Sequence, residues 1–321
     1  MKRKILVSIL SIICALSVFA QTNTGNIRVG VLNGPTCIPA AYLMENLNSA
    51  SFEKFADPQA LLPKMIKKEI DVGFMPLNVA AKVYNSGNKV ILCCAVTGYG
   101  NLSLITKDQD IKRFSDLKGK TINVAGQGAT PEYLMRYILE ENNLNWKEGG
   151  NVTLDYSIPT AQIVAQLAAG KISYAVVPEP FTTIAKIKSA SILSPLDLQK
   201  EYLELTGVTE MYPLSVMVVR KDFAEENPEL IKAFLDEYKK AYEWTVHYPD
   251  AAGRLTEKHS LGLAADVVTK AIPVSNYTFK PANEAVSISE DLLSIFLKCE
   301  PSSIGGKLPD RDFYYEVKQM D

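Results

Sequence analysis

Short apolar runs alternate along the chain with stretches whose apolar residues recur at helical spacing, the pattern of βα units around a largely parallel sheet. The spacing predicts a first strand over residues 27–32 and a helix over 40–47. A helix over 60–68, a strand over 72–75, a helix over 79–84 and a strand over 90–96 follow. Residues 102–106 read as extended and carry the chain out of a first lobe. The rhythm restarts after Asp116-Leu117-Lys118-Gly119-Lys120. It gives strands over 121–124, 152–156 and 174–177, with helices over 131–142, 161–169 and 182–187. Residues 214–219 form a strong strand placed to return to the first lobe, and the rest of the chain is mostly helical. The expected fold is therefore α/β, with two lobes and a ligand cleft between them. Residues 21–105 with 216–321 would form lobe 1, and 106–215 lobe 2.

The first residues change the picture of where this fold works. Lys2, Arg3 and Lys4 precede an apolar run over 5–19, and Val18 and Ala20 stand three and one residues before a cut at Gln21. That is the pattern of a cleaved secretory signal over 1–20. The run is shorter than the roughly 20 apolar residues a spanning helix needs. Ile13, before Cys14, is larger than lipoprotein processing wants and argues against lipid attachment. Cleavage would leave 301 of the 321 residues, and loss of three basic residues would take the net charge from −2 to −5. With no basic block, nucleic-acid binding is disfavoured. Cys37, Cys93, Cys94 and Cys299 have no CxxC spacing. Adjacent residues of a strand face opposite ways, so Cys93 and Cys94 do not share a metal ion. No metal and no cofactor are expected.

In open α/β sheets, ligands bind beyond the carboxyl ends of the strands. The residues there are Asn33, Gly34, Pro35 and Thr36; Met75, Pro76 and Asn78; and Gly98, Tyr99 and Asn101 in the first lobe. The second lobe offers Gly128, Ala129 and Thr130, then Glu179 and Phe181, and Tyr212 stands on the return crossing. These groups supply amides, neutral hydrogen bonds and stacking faces, but no nucleophile with a base. No Lys or Arg lies in the six strand-end loops. Thr130 is placed to cap a helix opened by Pro131, leaving free amides for an anion, although Glu132 would repel one. Gly126-x-Gly128 lacks the third glycine of a dinucleotide fingerprint. His247 and His259 sit in the helical C-terminal part, and no HExxH, GxSxG or P-loop pattern occurs. No catalytic residue is assigned.

Several stretches resemble the periplasmic substrate-binding proteins of ABC importers, in the group of nitrate, taurine, alkanesulfonate and thiamine-precursor (pyrimidine) binders. They are Ile27 to Val31 with Pro35-Thr36, Asp116 to Lys120, Gly128 to Tyr133, Val177 to Phe181, and Phe223 to Leu230. The resemblance implies a type II periplasmic-binding fold, a small-molecule ligand, a monomer, and delivery to the membrane permease of an importer. Tyr99, Tyr133, Phe181 and Tyr212 are placed to sandwich a flat ring, so the expected ligand is a flat heterocycle such as a pyrimidine or vitamin precursor, with a small organic anion as the alternative. Two other readings share the fold. A pyrimidine-synthase-like enzyme would need clustered metal ligands. A sensor would carry a transmembrane helix, and no later stretch is long and apolar enough for one.

Overall fold

The structure is a computed structural model that describes residues 26–317, apart from Pro35 and Asn88. The expected signal over 1–20 lies outside the described residues. The first stretch runs β1 (Ile27–Leu32), α1 (Cys37–Asn46), β2 (Ala50–Phe55), α2 (Pro58–Ile66), β3 (Val72–Pro76), α3 (Leu77–Asn85) and β4 (Ile91–Tyr99). The middle stretch is β5 (Leu102–Thr106), β6 (Thr121–Val124), α4 (Thr130–Glu141), β7 (Thr153–Asp155), α5 (Thr160–Ala168), β8 (Tyr174–Pro178), α6 (Phe181–Lys188), β9 (Leu193–Asp197) and α7 (Leu198–Thr206). The last is β10 (Pro213–Arg220), α8 (Lys221–Glu226), α9 (Pro228–His247), α10 (Pro249–Lys258), α11 (Ala265–Ala271), β11 (Tyr277–Pro281) and α12 (Val286–Cys299).

Two sheets organise these elements. One has six strands in the order β11-β4-β10-β3-β1-β2, the other five in the order β7-β6-β8-β5-β9. Each is a parallel core with an antiparallel strand inserted. β1 pairs parallel with β2 and β3, and β6 with β7 and β8. The inserted strands are the two that change sheets: β10 runs antiparallel between β3 and β4, and β5 between β8 and β9. The expected lobe breaks at 105/106 and 215/216 fall inside these strands. Hydrogen bonding puts the whole of β5 in the second sheet and the whole of β10 in the first.

Burial follows from position in the sheet. β4 is paired on both sides and its first eight residues, Ile91 to Gly98, are buried, Cys93 and Cys94 among them. Such a strand reads as a continuous apolar run. β2, β9 and β11 were not expected from the pattern. All three are sheet edges, and in none is more than one residue buried. α7, which follows the edge strand β9, was also missed. The main apolar cluster fills the first lobe and reaches the α4 side of the second sheet, where Tyr133 meets Phe296 of α12 at 5.7 Å. A smaller cluster, with Ile105, Ile163 and Val177 among its members, packs α5 and α6 on the other face. The four described cysteines are free thiols.

Candidate functional site

Pairing registers bring the carboxyl ends of β3 and β4 beside the start of β10, and those of β8 and β9 beside the start of β5. The turns that leave these ends therefore gather along the boundary between the two sheets. There the boundary has two sides with the chain crossings between them.

On the α3–α4 side the lobes touch directly. Asn78, wholly buried in the first turn of α3, sends Nδ2 to the Gly128 carbonyl at 3.0 Å and to the Ser303 carbonyl at 3.4 Å. Its Oδ1 accepts from Thr130 Oγ1 at 3.4 Å. Thr130 is not the helix cap expected from sequence. Ala129 holds that position, because the Thr130 hydroxyl turns to the other lobe. Gly128, at φ +76°, makes the left-handed turn that a glycine adopts without steric cost. Its N–H donates to Glu132 Oε2 at 2.6 Å, and the other Glu132 oxygen pairs with Arg136 one turn later. The Arg136 guanidinium lies 4.2 Å from the Trp146 ring centroid. The amide that this turn would offer an anion is thus already used by the protein's own carboxylate.

Between the two sides three segments are tied together. Gly100 N–H donates to the Tyr212 carbonyl at 3.0 Å, and Asn276 Nδ2 donates to the Gly100 carbonyl at 2.6 Å. Asn101 Nδ2 donates to the Ser275 carbonyl at 2.8 Å. A Cβ at position 100 would stand 2.2 Å from Tyr212 Cζ and 2.3 Å from Gln199 Oε1, so only glycine lets the crossings approach this closely.

On the α6–α11 side the lobes border an open hollow of about 520 Å³, within the usual range for small-molecule sites. Asn101, Glu179, Thr182 and Lys186 line it from one side, Lys270 and Asn276 from the other. Glu179 is 7% exposed, and its Oε2 accepts from Thr183 N–H in the first turn of α6 at 3.1 Å. Burial pushes its carboxyl above the ordinary carboxylate range, with the Thr183 hydrogen bonds opposing. Thr182 Oγ1 and Asn101 Oδ1 are buried and have no hydrogen-bond partner among the described residues.

The other residues expected at the site do not line this hollow, and Pro35 lies outside the described residues. Asn33 is exposed, Gly34 is buried, and Thr36 is half-buried with its hydroxyl on the Leu32 carbonyl at 3.2 Å. Pro76, Tyr99, Ala129 and Phe181 are half-buried. Met75 and Gly98 are enclosed, and so is Tyr212, whose ring meets Tyr202 edge-on at 5.2 Å. Lys186 and Lys270 were missed because they sit in helices, outside the strand-end loops. His247 Nδ1 is 2.7 Å from the Glu243 carbonyl oxygen and His259 Nε2 is 3.0 Å from Glu45 Oε2, both at helix ends away from these turns.

Among solved structures, an ABC transporter protein from Parabacteroides distasonis is 27% identical, with TM-score 0.75, covering 91% of this chain and 99% of that one. The periplasmic aliphatic sulphonate binding protein of Escherichia coli is 18% identical, with TM-score 0.73, covering 92% and 94%. The periplasmic nitrate-binding protein of Synechocystis PCC 6803 is 12% identical, with TM-score 0.66, covering 85% and 81%. These proteins are named for transport or binding rather than catalysis, and the fold is the two-lobed fold of periplasmic binding proteins. No curated protein matches the chain. The model of one family does match, over residues 42–257, and the chain belongs to that family, the NMT1-like family.

Proposed function

We propose that this chain is the extracytoplasmic solute-binding component of an ABC importer, exported by cleavage of residues 1–20 and working as a monomer. It captures a small molecule between its lobes and passes it to the membrane permease. The ligand is a flat heterocycle such as a pyrimidine or vitamin precursor, or a small organic anion. The observation that carries this reading is the meeting of strand-end turns from both lobes, Asn78 with Gly128 on one side and a polar hollow on the other. A solute touching both lobes binds the closed state better than the open one, and that difference drives closure. The proposed ligand-facing positions are Asn101 and Glu179, which line the hollow, with the turns at 33–36, 98–101 and 179–181 and Tyr212 on the crossing; Asn78, Gly128 and Thr130 bond to each other across the other side.

A thermal-shift screen of pyrimidines, carboxylates and sulfonates tests the reading. A ligand at 100 times its Kd adds about 2.7 kcal/mol to native stability. Its binding should also compact the protein in solution scattering. Tyr99→Ala and Phe181→Ala should remove the shift if these rings stack on the ligand. A screen in which no compound of these classes stabilises or compacts the protein would count against the transport reading.

A further inference from the structure

We infer that the α6–α11 hollow selects a ligand that is both a flat ring bearing N–H donors and an acid. The inference rests on the solute-binding reading and narrows it: the two ligand classes left open there become two ends of one molecule.

The inner wall asks for donors. Glu179 presents a carboxylate that is 7% exposed, and Asn101 Oδ1 is a buried acceptor without a partner. Thr182, 2% exposed, adds a hydroxyl oxygen that also has none among the described residues. Leaving such atoms unpaired is costly, so a ligand that reaches them with donors regains that energy. Two acceptors in one wall match the adjacent N–H groups of a ring. The rim supplies the opposite charge beside one carboxylate, Asp197, whose Oδ1 already accepts from the Gln199 and Lys200 N–H groups. Lys186 comes from α6 and Lys270 from α11, and neither has an ion-pair partner among the described residues. Ile187 and Val274, 44% and 52% exposed, line the same hollow and offer apolar contact to ring faces.

The lysines also give the acid a role in closure. They stand on different lobes, so an acidic group between them is held by both only when α6 and α11 are together. The α4 turn cannot take that part, since Glu132 fills it.

Orotate and uracil differ by one carboxylate and share the ring and its N–H groups. Calorimetric titration should show orotate binding about tenfold or more tightly than uracil, one charge-assisted contact's worth. In the Lys186→Met, Lys270→Met double variant the two should bind alike. The unliganded melting temperature should stay the same, since both side chains are exposed. Orotate binding no tighter than uracil in the wild type, including no binding of either, overturns the inference. So does an orotate advantage that survives in the double variant. If another solute of the screen still stabilises and compacts the protein, the transport reading stands while this one falls.

Discussion

The two sides of the interlobe boundary are built from the same parts and finished differently. Each has a helix that begins at a strand end, and each helix start is covered by a glutamate of the chain itself: Glu132 at α4, Glu179 at α6. On the α4 side the carboxylate is met by Arg136, the neighbouring carbonyl by Asn78, and apolar packing through Tyr133 and Phe296 continues the core across. On the α6 side the carboxylate accepts from Thr183 and feels the charge of Lys186 without an ion-pair contact, unpaired oxygens remain, and the core stops at a hollow. A seam completed by its own residues holds lobes together; a seam left incomplete has room for a solute.

Four substitutions sharpen this contrast. Glu132→Ala should have the largest effect, about 3 kcal/mol of lost stability in urea denaturation, because it strands the mostly buried Arg136. Adding Arg136→Met should restore at least half of it. An equal loss in single and double variants would mean the pair does not act as a unit. Asn78→Ala should cost about 2 kcal/mol by leaving the Gly128 and Ser303 carbonyls without their donor. It should also expand the unliganded protein in solution scattering, which a defect confined to one lobe would not do. Glu179→Gln should have the smallest effect and the opposite sign. Because burial raises this carboxyl above its unfolded value, the folded protein holds the proton more tightly. Wild-type stability is therefore lost as pH rises from the ordinary carboxylate range through the raised value. The substitution should stabilise by under about 1 kcal/mol at pH 7, with the gain gone below about pH 4. A gain that does not vary with pH would remove burial of charge as its cause.

How much of this could be read in advance varied with neighbours rather than with distance along the chain. The strands paired on both sides announced themselves, since β1, β3, β4, β8 and β10 are runs of buried apolar residues. β2, β9 and β11 did not. An edge strand pairs on one side, β9 and β11 contain a proline, and their burial is partial. The strand-end rule found the turns of the boundary because it is a rule about local chain direction. It could not find Lys186 or Lys270, which are ordinary helix residues by sequence. They line the hollow only through the packing of one lobe on the other. Nor could it tell that Glu132 would reach back to Gly128, although the four-residue spacing along the start of a helix permitted it.

The place of β10 has a consequence for how the molecule comes into being. All five strands of the second sheet lie in one continuous stretch, Leu102 to Asp197, so that sheet needs nothing downstream to complete its ladder. The other sheet does. β3 and β4 do not pair with each other; β10 lies between them, and it begins only after the whole second sheet has been spelled out. While the chain emerges from a ribosome or a translocon, β3 and β4 wait with open edges for a strand not yet delivered. The later half of the chain thus finishes what the first half began, and the first sheet closes around an insertion that is itself a complete sheet.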